Sequence, residues 1–216
     1  PTLDHVSPNF GGSRGGTIIS VHGLGMHESL YCWMAGVRTG PAEYVSEALV
    51  RCSTPPLAEL KLQTPQLLSN GGDVSVPVRL GSETHVLSAG STGPNFWYHP
   101  DLSVFKVTPA VVPATGGVAV LVEGAEFRHT ADLQCVLGGL PPLPATWISS
   151  LLVSCVVPRA EAGMYPVRIT TNGADVYSGA NVAVLVAPER SVSGMSPIRG
   201  PASGGTTVSV TGTGFS

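Results

Sequence analysis

The chain has 216 residues, only 12% of them charged, with a formal net charge of −3. Its eleven Lys and Arg are scattered, which argues against a basic nucleic-acid surface, and no apolar run reaches the length of a membrane-spanning helix. The length accommodates two complete domains, each large enough to bury its own core.

The first element is marked by Ser7-Pro8. Proline fixes φ and ends a strand, and Gly15-Gly16 supply backbone conformations that a side chain would forbid, so the stretch predicts strand, wide turn, strand. Ile19 and Val21 then alternate with polar neighbours, the period of a half-buried antiparallel strand. Gly23-Leu-Gly-Met26 closes it: the glycines let the backbone turn sharply, and Met26 plugs the end of a core. His22-Gly-Leu-Gly-Met-His27-Glu28 invites a metal or acid–base reading, but it is not His-Glu-x-x-His. Later in the chain Glu123 and Arg128 stand at the same offsets as His22 and His27, so these histidines read as loop variation.

Cys32 and Cys52 follow, twenty residues apart, the second standing three before Pro55. Between Leu57 and Asn70 the chain carries about fourteen residues that its later copy lacks. Leu57, Leu60, Leu62, Leu67 and Leu68 hold no helical stripe there, so the segment reads as a loop excursion with one turn of helix. Pro77–Leu80 is a strand. In Phe96-Trp97-Tyr98, alternation sends Phe96 and Tyr98 to the core and leaves Trp97 for the surface or a domain junction. Trp33 and Trp147 read as core or loop anchors by the same logic. Only His99 to Ser103 then separate Tyr98 from Val104, too few for a floppy linker, and Pro100 restricts them further.

From Thr108-Pro109 the pattern starts again. Gly116-Gly117, the strand pair Val120 and Val122, Gly124 and Phe127 repeat the offsets of the first copy, as do Cys135 and Cys155 before Pro158, and Pro166–Ile169. Ser196-Pro197 opens a third round with Gly204-Gly205, Val208, Val210, Gly212 and Phe215. The chain is therefore a repeat array, with a linker of Ala187 to Ser193 expected to be somewhat longer than the first. Pro1 in place of an initiator Met, and a third copy interrupted at Ser216, read as a segment of a longer polypeptide.

Three readings of the cysteines stand. One disulfide per copy would close loops of about twenty residues, each worth roughly 3 kcal/mol by chain entropy. Four reduced buried thiols are the second, and a zinc site the third, although Cys-x19-Cys lacks the short knuckle that structural zinc uses. Equal spacing favours Cys32–Cys52 and Cys135–Cys155, and with them an oxidising compartment. Glu126 and Asp132 are isolated carboxylates, and neither Ser13-Arg-Gly-Gly nor Gly71-Gly-Asp73 opens a helix, so no catalytic, metal or cofactor site emerges. There is no Asn-x-Ser/Thr sequon; Ser-Pro and Thr-Pro leave O-linked or hydroxyproline-linked sugars as the routes to a glycoprotein.

The run Ser196-Pro…Gly204-Gly-Thr-Thr-Val208-Ser-Val210-Thr-Gly212-Thr-Gly-Phe215 resembles the IPT/TIG domain signature. So do Val153-Ser-Cys155-Val-Val-Pro158 and Gly163-Met-Tyr165-Pro-Val167. The resemblance implies an all-β chain of tandem immunoglobulin-like β-sandwiches of the E-set type, with copies at 1–101, 102–190 and an incomplete third at 191–216. Short alternating runs with many Gly and Pro turns point to the same class. The resemblance further implies a non-enzymatic extracellular or cell-surface segment, a spacer or filament shaft whose faces meet other protein chains or glycans. A stalk of a plexin-like receptor ectodomain is the first alternative, and an accessory carbohydrate-binding module of an enzyme the second. Trp97, Val208, Val210 and Phe215 are the candidate interaction surface, the last three because they face a core with no opposite sheet.

Overall fold

The computed structural model describes residues 1–65, 67, 72–88 and 93–215. Two hydrophobic cores lie along the chain, one built from Val6 to Tyr98 and the other from Leu102 to Val186. In the first copy one sheet orders Thr2–Ser7, Ile18–Leu24, Leu49–Ser53 and Glu43–Ser46. The facing sheet orders Phe10–Gly12, Asn95–His99, Val74–Gly81, Tyr31–Met34 and Val37–Pro41. Ile19 and Val21 meet Val76, Val78, Phe96 and Tyr98 in the buried layer between them, as the alternation requires.

The second copy repeats this plan with one change. Leu143–Ser149 pairs with both Leu152–Val157 and Gln134–Leu137, which joins the two sheets into one eight-stranded sheet folded over its core. In the first copy the equivalent stretch is broken at the buried Ala42 into two strands, one for each sheet.

Several sequence expectations change in detail. The stretch between Pro8 and Gly15 is more than a turn: Phe10–Gly12 crosses to the far sheet and runs parallel to Asn95–His99, and Val111–Pro113 does the same beside Tyr177–Ala187. The glycine at the end of the next strand answers to close approach rather than sharp turning. A Cβ at Gly23 or Gly124 would collide with the carbonyl oxygen of Thr2 or Ser103 on the neighbouring strand. Met26 and Phe127 do plug their cores, packed over those glycines.

The insertion holds a helix, Leu57–Gln63, longer than the single turn expected. Pro56 starts it, and Leu57 and Leu60, one turn apart on the same face, are buried while Leu62 points to solvent. Two apolar positions suffice for so short a helix, too few to register as a stripe. Leu68 and Asn70 lie outside the described residues.

The second linker is not longer than the first. Strand pairing ends at His99 and resumes at Ser103, and ends at Ala187 and resumes at Ser191, which leaves three residues in each case.

Candidate functional site

Each cysteine pair is bonded across its sandwich. Cys32 lies in one sheet and Cys52 in the other, with Cα atoms 6.0 Å apart, and Cys135 and Cys155 repeat the arrangement at 6.3 Å. All four are buried, and among the described residues no cysteine is free. Among those residues there is also no group of three His, Cys, Asp or Glu able to hold a metal ion, and no helix long and apolar enough to cross a membrane. His22 and His27 are not brought together. The ring of His22 instead stacks on His5 across the strand pair, centroids 4.3 Å apart, where the second copy has the Lys106–Glu123 ion pair.

Trp97 is 43% exposed on the outer face of its strand, between Phe10 and Ser75, while Phe96 and Tyr98 are fully buried with their rings edge to face. Burial drives the Tyr98 phenol well above its usual value, and its hydroxyl donates to the Pro55 carbonyl at 2.7 Å. Trp33 and Trp147 anchor loops through their indole N–H groups, which donate to the Ser82 and Phe127 carbonyls. After the second copy comes a hairpin, Ser191–Ser196 with Ser209–Thr213, where a third copy is expected to begin. Val210 on its second strand and Val208 and Phe215 just outside it are 51%, 43% and 55% exposed, where Val21, Ile19 and Met26 are buried.

The most organised polar chemistry lies where the first two copies meet, around Thr17, Asn172 and Asp175, which the sequence did not single out. The loop Asn172-Gly-Ala-Asp175 of copy two is braced from within: the Asn172 side-chain oxygen accepts from the Ala174 and Asp175 amides at 3.1 and 2.8 Å. So braced, it docks on the crossing strand of copy one. Asn172 Nδ2 donates to the Phe10 carbonyl at 2.9 Å, and the Thr17 hydroxyl donates to Asp175 Oδ2 at 2.7 Å. Thr17 and Asn172 are among the few buried polar residues. A buried polar group is tolerated only when hydrogen-bonded, so the docked position is the one that satisfies them.

Close approach is made possible by Gly11 and Gly12. A Cβ on Gly11 would collide with Thr17 Oγ1 and crowd Asp175, and one on Gly12 would collide with the Tyr177 hydroxyl. Tyr177 is pushed up to about 12 by burial, then by the nearby carboxylates of Asp175 and Asp101. Two ion pairs flank the contact. Arg14 Nε meets Asp101 Oδ2 at 2.8 Å, and the Arg128 guanidinium meets both carboxylate oxygens of Asp73. His99 Nδ1 lies against the same carboxylate, off the line of a good hydrogen bond. Burial works to raise the Asp73 carboxyl, but His99 and Arg128 outweigh it and hold the group below its usual range. Burial lowers the His99 imidazole, and the Arg128 charge adds to this against the pull of Asp73. The cavity that Gly11, Gly12, His99, Arg128, Asn172 and Tyr177 enclose is about 10 Å³, at most one water's worth.

Copy by copy, the sequence matches the family model described as IPT/TIG domain, over residues 1–98 and 102–184. The chain belongs to the IPT/TIG domain family. Among curated relatives it is 22% identical over 233 residues to Plexin-2 of Caenorhabditis briggsae and 25% identical over 221 residues to Fibrocystin-L of Homo sapiens. Each alignment takes in the whole of this chain, but only 12% of the first relative and 5% of the second. Among solved structures, the full extracellular region of Plexin A4 matches at a TM-score of 0.53 and 13% identity, over 89% of this chain and 16% of that one. At that identity the likeness speaks to the fold alone, which is that of tandem immunoglobulin-like IPT/TIG sandwiches.

Proposed function

We propose that this chain is a non-enzymatic segment of an extracellular repeat region, divided at 101/102 and 190/191, that works as a stiff spacer. The observation that carries this reading is the joint between copies one and two. A loop from one copy is hydrogen-bonded into the other, glycines remove the side chains that would hold them apart, and two ion pairs flank the contact. Such a contact sets an angle between domains, whereas loosely joined domains move independently by default. Paired cysteines and plexin- and fibrocystin-type relatives support the extracellular placement.

Partners are other protein chains meeting the exposed faces, Trp97 included. A stalk of a plexin-like ectodomain uses the same mechanics, and the similarity to Plexin-2 over the whole of this chain supports it. A carbohydrate-binding role rests on Trp97, one exposed ring on a strand face. Residual dipolar couplings test the spacer reading. Copies one and two should share a single alignment tensor in the intact chain; two unrelated tensors would refute a fixed joint.

A further inference from the structure

The corner of copy one that receives the Asn172–Asp175 loop has an equivalent in copy two, and the two can be compared residue by residue. Val111–Pro113 pairs with Tyr177–Ala187 just as Phe10–Gly12 pairs with Asn95–His99. Gly11 and Gly12 thus correspond to Val112 and Pro113, Arg14 to Thr115, Thr17 to Val118, Asp73 to Ala162 and His99 to Ala187. The main-chain carbonyl that Phe10 offers to Asn172 has its counterpart in Val111, but the side chains that hold the loop are changed. The hydroxyl that donates to Asp175 becomes a methyl. The cation and the carboxylate of the flanking ion pairs become uncharged, and the glycines acquire the side chains that would occupy the loop's place. What remains is an open crevice of about 540 Å³ walled by Val111, Val112, Pro113, Thr115, Ala187 and Pro188, with the linker residues Glu189 and Arg190 completing it.

We infer that the copy-one corner is a receptor selective for an Asx-braced, aspartate-bearing loop, and that the corner of copy two is closed to loops of that kind. The joint after copy two therefore lacks the lock of the first, although its linker is equally short. Copy three returns part of the way. Gly200 and Thr206 restore the Gly11–Thr17 pair, with the threonine hydroxyl again filling the place of the missing Cβ, but Pro201 and Ser203 do not restore Gly12 and Arg14. Stiffness is thus written into individual joints by the residues of each corner rather than being a uniform property of the repeat. The inference rests on the fixed-joint reading above, and the two can fail separately.

The test transplants the copy-two corner into copy one of the full chain, as Arg14→Thr, Thr17→Val and Asp73→Ala together. These positions lie at the corner and leave the residues of the first apolar core unchanged. A second variant, Gly11→Val with Gly12→Pro, carries the steric half. Residual dipolar couplings are measured for both copies, and amide chemical shifts within each report that it stays folded. Wild type should give one tensor and each folded variant two. Two tensors in wild type would overturn the fixed joint itself. One tensor in wild type and in the triple variant, with both copies folded, would overturn the selectivity of the corner. Should the glycine variant unfold copy one, the triple variant alone decides.

Discussion

At the scale of single residues, the buried polar atoms of the joint explain more than its surface charges. Exposed ion pairs such as Arg38–Glu83 contribute little, because water screens them and two long side chains must be ordered. The Asp175 carboxylate is different, since it accepts from both Thr17 and Asn172 inside the contact. Asp175→Ala leaves two buried donors without their acceptor and should cost about 2 kcal/mol of docking. Amide exchange around Thr17 and Asn172 should quicken while the two cores keep their protection; unchanged exchange there would show the carboxylate to be dispensable. Tyr98→Phe should act within copy one alone. It strands the Pro55 carbonyl and removes about 1 kcal/mol from the unfolding free energy measured in urea, with no change in the orientation of copy two.

At the scale of elements, the repeat offsets made the strands legible, because period-two alternation and Gly-Gly turns are local signals. The same locality hid the rest. The crossing strand Phe10–Gly12 carries two glycines and no alternation, so nothing in it announces pairing with residues some ninety positions on. Helix Leu57–Gln63 is fixed by two leucines against the core rather than by a stripe. The joint was the least readable feature. Asn172-Gly-Ala-Asp175 reads as an ordinary turn, and its partners Phe10 and Thr17 are about 160 positions away. The hairpin of copy three follows from the local signals, and its exposed face has a consequence. Val208, Val210 and Phe215 correspond to buried residues of the complete copies, and an uncovered apolar strand pair is marginal in water. Residues 1–216 should therefore self-associate, or exchange amides freely beyond residue 190, where residues 1–190 do neither. A monomeric longer chain with a protected hairpin would count against this.

At the scale of the whole molecule, the placing of His99 and Asp73 predicts a joint that responds to pH. His99 lies in the seam with Asp73, Arg128, Glu126 and Phe10 around it, and burial lowers its imidazole below the usual 6.5. The docked state therefore disfavours the protonated ring. Once the seam opens, water reaches the imidazole and it takes up a proton near its ordinary value. The open form thus binds more protons between the lowered value and 6.5, and acidification through that window favours opening. Asp73 acts in the same direction at lower pH. Its carboxyl is held below the usual 3.8, so its contribution is present above that value and is lost as pH falls through the lowered one. Within the sandwiches, each closed by a buried disulfide, the buried polar residues among those described are threonines and Asn172, none of which titrates in this range. Acidification from pH 7.5 to about 5 should therefore loosen the angle between copies while leaving each copy folded. Small-angle scattering should show a broader distribution of interdomain separations at the lower pH, with far-ultraviolet circular dichroism unchanged. His99→Gln should remove the response in this window, because the amide does not titrate. An equal response in that variant would place the sensitivity elsewhere, and no response in wild type would mean that the seam tolerates a protonated His99.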